Sequence, residues 1–186
     1  MSQARRIRPL RERIFVGCEG KSEAGYISLI GEIAKTAGLP VHLEIINLAP
    51  AGDPQSRVEA AVKSIAERER NREKFAFRFV ILDDDQNAQS PQRAATAKQM
   101  AQSNSISLIW QSPCHEAILL RHFAGHTNDR PPTSALAELQ LKAVWPDYAK
   151  GMERRDVGKR MDLDALKRAA SVEPDLLQFL KRLGVI

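Results

Sequence analysis

Four short apolar runs, each separated from the next by an amphipathic stretch, constrain this chain most. Ile14 to Cys18, Val41 to Leu48, Phe75 to Leu82 and Ser105 to Gln111 read as strands. Between them, Tyr26, Leu29, Ile30, Ile33 and Ala37 recur at helical spacing, as do Val58, Ala61, Val62, Ile65 and Ala66. An alanine-rich segment opened by Ser90-Pro91 makes a third helix, and His115 to Phe123 a fourth. Ser22 offers an N-cap to the first helix and Asp53-Pro54 to the second, while Gly38 with Pro40 stops the first. Such alternation predicts an α/β fold with a mostly parallel, four-stranded, Rossmann-like sheet flanked by helices. After Pro131-Pro132 the alternation ends, and helices are expected over 133–144, 161–170 and 174–183. The expected organisation is a basic arm over 1–12, an α/β core over 13–130 and a helical extension over 131–186.

At 186 residues the chain is long enough to bury one good core. No apolar run reaches the roughly 18 residues a membrane helix needs, and the N-terminus carries no apolar signal core. A cytoplasmic protein without a membrane partner is expected. Cys18 and Cys114 make neither a disulfide framework nor a CxxC zinc site. They read as small buried hydrophobes.

The net charge of +5 is unevenly spread. Residues 1–13 carry five arginines, among them Arg5, Arg6 and Arg8, against Glu12. Residues 14–130 hold 13 basic and 14 acidic groups, and residues 131–186 hold 10 and 8. Basic ends around a near-neutral middle suit a polyanionic partner, DNA or RNA. Lys21, Arg154 and Arg155, with the arm's Arg5, Arg6 and Arg8, are the candidate contacts. No aromatic interleaving of the kind single-strand binders use is present: Trp110 and Trp145 stand alone.

Acidic residues close two of the strands. Glu19 follows the first, and Asp83-Asp84-Asp85 follow the third. In open α/β sheets, ligands bind beyond the carboxyl ends of the strands, where strand order reverses. If strands one and three are neighbours, Glu19 and Asp83 meet, and Asp85 shares Asp83's face while the backbone stays extended. Carboxylates gathered at one point must bind protons or a cation, and hard oxygen ligands favour Mg²⁺ or Mn²⁺. Glu116, at the start of helix four, either completes the set or serves only as a favourable carboxylate at a helix N-terminus, and Lys150 either reaches a phosphate or is a solvated lysine. Tyr148 and His122 read as core residues. A rival motif occupies the same place. Gly17-Cys18-Glu19-Gly20-Lys21-Ser22 ends like a P-loop, but two residues separate its glycines where four are needed. An atypical NTPase is the weaker alternative.

Cys18-Glu19-Gly20-Lys21-Ser22-Glu23-Ala24-Gly25-Tyr26 resembles the opening motif of the RloB family. Asp83-x-Asp85, the segment Pro113-Cys114-His115-Glu116 through Leu119-Leu120-Arg121-His122-Phe123, and Tyr148-Ala149-Lys150 resemble its later motifs, in order. The resemblance implies a Toprim-like fold with Glu19, Asp83 and Asp85 as the catalytic, Mg²⁺-binding acids. It implies a nuclease of phage defence, through restriction or abortive infection, with an ATPase partner. A non-catalytic Toprim-like module docking on such an ATPase is the other alternative. A homodimer is left open. Gly17 and His115 depart from the family's bulkier or more apolar residues at those places.

Overall fold

The structure, a computed structural model, describes residues 11–50, 52–85, 87 and 90–186. Arg5, Arg6 and Arg8 of the expected arm lie outside the described residues. Strands β1 (Glu12–Cys18), β2 (Val41–Asn47), β3 (Phe77–Asp83) and β4 (Ser107–Gln111) form one parallel sheet in the order β2-β1-β3-β4. Helices α1 (Lys21–Thr36), α2 (Pro54–Glu69) and α3 (Pro91–Ser103) make the crossovers. The chain leaves β1 for β2 on one side and returns to β3 on the other, so the reversal falls between β1 and β3. That is the crevice in which α/β sheets bind ligands.

Alternation within β1 divides the core. Ile14, Val16 and Cys18 face α1, with Tyr26 and Ile30 packed against them. Phe15 faces the other way, among Val58 and Ala61 of α2 and Ala97 of α3. The C-terminal helices are α4 (His115–Leu120), α5 (Ser134–Val144), α6 (Arg154–Val157), α7 (Leu163–Ala170) and α8 (Pro174–Leu183). They pack into the first of these cores: Leu141, Leu166 and Leu180 share one cluster with Ile14 and Phe79. The Phe79 and Phe179 rings meet edge-on with centroids 4.8 Å apart. Residue 130 therefore ends the strand–helix alternation but not the core.

Several local expectations change. The N-cap of α1 is Gly20, whose N–H donates to the Glu23 carboxylate at 2.9 Å. Ser22 lies inside the helix, and its hydroxyl accepts the Gly151 N–H at 2.8 Å. Helix α4 stops at Leu120, and α6, only four residues long, was too short for its periodicity to show. Arg13 is not part of an arm. It sits in β1, paired to Glu44 at 2.8 Å and stacked 4.3 Å from the Phe75 ring centroid. Gly17 sits where an added Cβ would come within 2.8 Å of Leu48, so the missing side chain is room given to Leu48.

His122 is a satisfied core residue. The Ile118 carbonyl can only accept, so Nδ1–H donates to it at 2.8 Å. Nε2 then accepts from the Tyr26 hydroxyl at 2.9 Å. Tyr26 on α1, His115 on α4 and Arg168 on α7 face the ring. Burial pushes its pKa from 6.5 down to about 4. The fold thus favours neutral imidazole, and this stability is complete above about pH 6.5 and lost as the pH falls toward 4. The ceiling is about 3 kcal/mol. Melting temperature is expected to fall across that window, and to fall less in His122→Gln. Equal acid sensitivity in both proteins would contradict the assignment.

Candidate functional site

The neighbouring β1 and β3 bring Glu19 and Asp83 together, as the two strand ends require. The Asp83 N–H donates to Glu19 Oε2 at 3.2 Å. Beyond Asp83 the strand ends and the backbone bends. The N–H groups of Asp84 and Asp85 turn to the Pro113 carbonyl at 3.1 and 3.0 Å. The extended run that would align Asp85 with Asp83 is therefore absent. Asp85 is held from another side, its carboxylate accepting the Ser134 hydroxyl at 2.7 Å. Its charge still acts on Asp83.

Asp83 carries the most strained electrostatics of the site. Burial raises its pKa, and the carboxylates of Glu23, Asp85 and Glu116 add to the rise, which reaches about 8. Its Oδ1 is buried with no hydrogen-bond partner among the described residues. Glu116 behaves oppositely. Burial works to raise its pKa, but its own N–H, the Cys114 thiol and the Lys150 charge carry it below the ordinary value. One carboxyl is driven toward its protonated form while its neighbour stays ionised.

Around Glu116 the expected residues gather. The Tyr148 hydroxyl, read from sequence as packing, donates to Glu116 Oε1 at 3.0 Å. Lys150 lies 3.5 Å from the same oxygen and 3.2 Å from Glu138. The Lys150 side chain is 63% exposed, so water screens the pair and keeps it weak. His115 is buried; its Nδ1 accepts the Gln111 amide at 2.9 Å, which leaves Nε2–H without a partner among the described residues. The charges of Glu23 and Glu116 act on that ring. Cys18 and Cys114 are both buried and free. Lys21, Arg154 and Arg155 are exposed and lie on the β2 side of α1.

Two site residues escape a reading of the sequence. Glu23 is buried at the Gly20 cap, beside Asp83 in charge terms. With Glu23 on the Gly20 N–H, the loop presents a carboxylate where a P-loop would cradle phosphate. Arg57, in the first turns of α2, is the other. Its guanidinium is largely buried, ion-paired with Glu19, and attracted by Asp83 and Asp85. An arginine on an amphipathic helix carries no signal that it points into a site.

The donor set suits a hard cation: a buried, unpartnered carboxylate oxygen within electrostatic reach of further carboxylates. As placed, no three His, Cys, Asp or Glu groups among the described residues close around one point, because Glu19 is turned to Arg57 and Asp85 to Ser134. Fold and site together define an α/β protein of Toprim-like architecture with an acidic crevice at its strand switch. The model of the RloB-like protein family matches residues 14–178, and the chain belongs to that family. No curated protein and no solved structure matches it. Among the described residues no helix is long and apolar enough to cross a membrane.

Proposed function

We propose that the chain is a Mg²⁺- or Mn²⁺-dependent nuclease that cleaves nucleic-acid phosphodiester bonds, acting in phage defence beside an ATPase partner. The observation that carries this reading is the buried, unpartnered Asp83 Oδ1, on whose carboxyl the charges of Glu23, Asp85 and Glu116 act. Asp83 and Asp85, with Glu19, would hold the ion, which supplies an activated water and neutralises charge on the phosphoryl group when bound. Glu19 is then a ligand or the base that orients water, once it exchanges Arg57 for the ion. Arg57 offers the site a resident positive charge and competes with the ion for Glu19. Glu116, kept ionised and fixed by Tyr148, borders the reacting position. Lys150, exposed beside Glu116, would meet charge on the leaving oxygen.

The Arg57–Glu19 pair also favours a second reading, in which arginine permanently replaces the metal and the chain is a non-catalytic docking module. Incubation of the purified chain with DNA and with RNA, in Mg²⁺, Mn²⁺ or EDTA, separates the two. Cleavage that needs the ion is expected on at least one substrate. Cleavage that survives EDTA would contradict the metal assignment, and no cleavage with the ATPase partner present would favour the docking module.

A further inference from the structure

A groove of about 920 Å³ runs along the outer side of α1, between that helix, the free edge of β2 and the N-terminus of α6. Lys21, Ser28 and Lys35 stand on its wall at seven-residue spacing, so one face of α1 looks into it. Arg11, the residue before β1, and Arg154 and Arg155, from α6, complete a basic rim. Glu32 and Glu153 are its acidic members, which leaves three positive charges in excess. Glu32 is already engaged, accepting from Arg154 at 2.6 Å with Lys35 at 3.7 Å. It braces two of the cations. From Lys21 to Lys35 the wall is about 21 Å long, at about 1.5 Å per helical residue.

One end of this groove is a wall of the acidic crevice. Lys21 directly follows Gly20, whose N–H is held by Glu23. Gly151 lines the groove, donates its N–H to Ser22, and follows Lys150. Gly25 makes this seam fit, because a Cβ there would collide with the Met152 carbonyl oxygen. Among the described residues no Phe, Tyr or Trp lines the groove, so they offer no platform for stacking bases. Its chemistry is that of spaced cations along a track.

We infer that this groove is a binding track for one phosphodiester strand of a nucleic acid, guiding it past Lys21 toward the Asp83 crevice. The identity of the polyanion rests on the nuclease reading; the track itself does not need the metal. The wall, about 21 Å long, corresponds to about six base pairs of axial rise at about 3.4 Å each, so a winding strand laid along it meets only a few of its phosphates. Contacts of this kind set affinity and its salt dependence without reading sequence.

The test measures binding of a fluorescent 20-base-pair duplex in EDTA over a range of salt, by anisotropy. Lys35→Ala with Arg155→Ala is expected to weaken binding about tenfold and to reduce the salt slope by about two. Both residues are exposed, so the fold is undisturbed. Lys167→Ala with Lys181→Ala makes the same change in net charge on α7 and α8 and should leave affinity and slope near wild type. Asp83→Asn should still bind the duplex. A groove pair that behaves like the control pair overturns the inference, as does poly-glutamate binding where the duplex does not. If the groove pair loses binding while Asp83→Asn cleaves normally, the track stands and the catalytic reading fails.

Discussion

Asp83→Asn is expected to lose cleavage by about a thousandfold or more while making the metal-free protein more stable. In the proposed metal-dependent nuclease, the activity loss follows from removing what would be the ion's central ligand, worth about 4 kcal/mol of transition-state stabilisation. The stability gain follows from burial. Asp83 is raised from 3.8 to about 8 by burial and by Glu23, Asp85 and Glu116. A carboxyl with a raised value contributes fully below its unfolded pKa, and its contribution is lost as pH climbs toward the folded one. At pH 7 most of that loss is in place, and asparagine keeps the shape without the charge. Discounted for solvent and relaxation, the gain is about 2 kcal/mol, which corresponds to about 5 °C in Tm for a chain of this size. A functional residue that opposes stability is what a site built for a cation produces. Loss of both activity and stability in Asp83→Asn would instead mark Asp83 as structural, and unchanged cleavage would remove it from the mechanism.

The second large effect lies outside the crevice. Arg121 is 1% exposed, and its guanidinium is shared three ways: to Glu173 at 2.8 Å, the Ser112 carbonyl at 2.8 Å and the Asp129 carbonyl at 3.0 Å. Burial lowers the arginine's pKa and raises that of Glu173, so the pair offsets a desolvation cost more than it adds stability. Removing one partner leaves that cost exposed. Glu173→Ala is expected to destabilise by about 3–5 kcal/mol, and Glu173→Leu with Arg121→Met to recover most of it. Because Arg121 also holds Ser112, it fixes the loop whose Pro113 carbonyl accepts from Asp84 and Asp85. The single variant should therefore also lose activity below its melting temperature. Denaturant unfolding checks the first claim; a loss under about 1 kcal/mol would mean that the guanidinium escapes to water.

How much of this was legible in the residues depends on what each signal encodes. Apolar runs and turn residues carry local structure, so β1 to β4 and α8 fall close to their expected places. The position of Glu19 and Asp83 after strands was equally plain, but their meeting depends on strand order, which periodicity does not encode. Asp85 shares the face of Asp83 only while the backbone stays extended, a condition that the sequence leaves open and that the turn to the Pro113 carbonyl does not meet. Arg57 and Glu23 went unseen for one reason. On a helix, a charged residue that faces solvent and one that faces a crevice look alike until the neighbouring strand is placed. The Tyr148 ring is buried, as a packing residue should be, but its hydroxyl reaches Glu116, a contact that no local pattern encodes.

The central claim, that the Asp83 crevice is a cation site whose resident counter-charge is Arg57, is tested most directly by titrating the metal-free protein with Mn²⁺ and measuring bound ion by electron paramagnetic resonance. Wild type should bind, Asp83→Asn should lose binding, and Arg57→Gln should bind several-fold more tightly because the competing guanidinium is gone. Binding that is absent in wild type, or that is indifferent to Asp83, would contradict it.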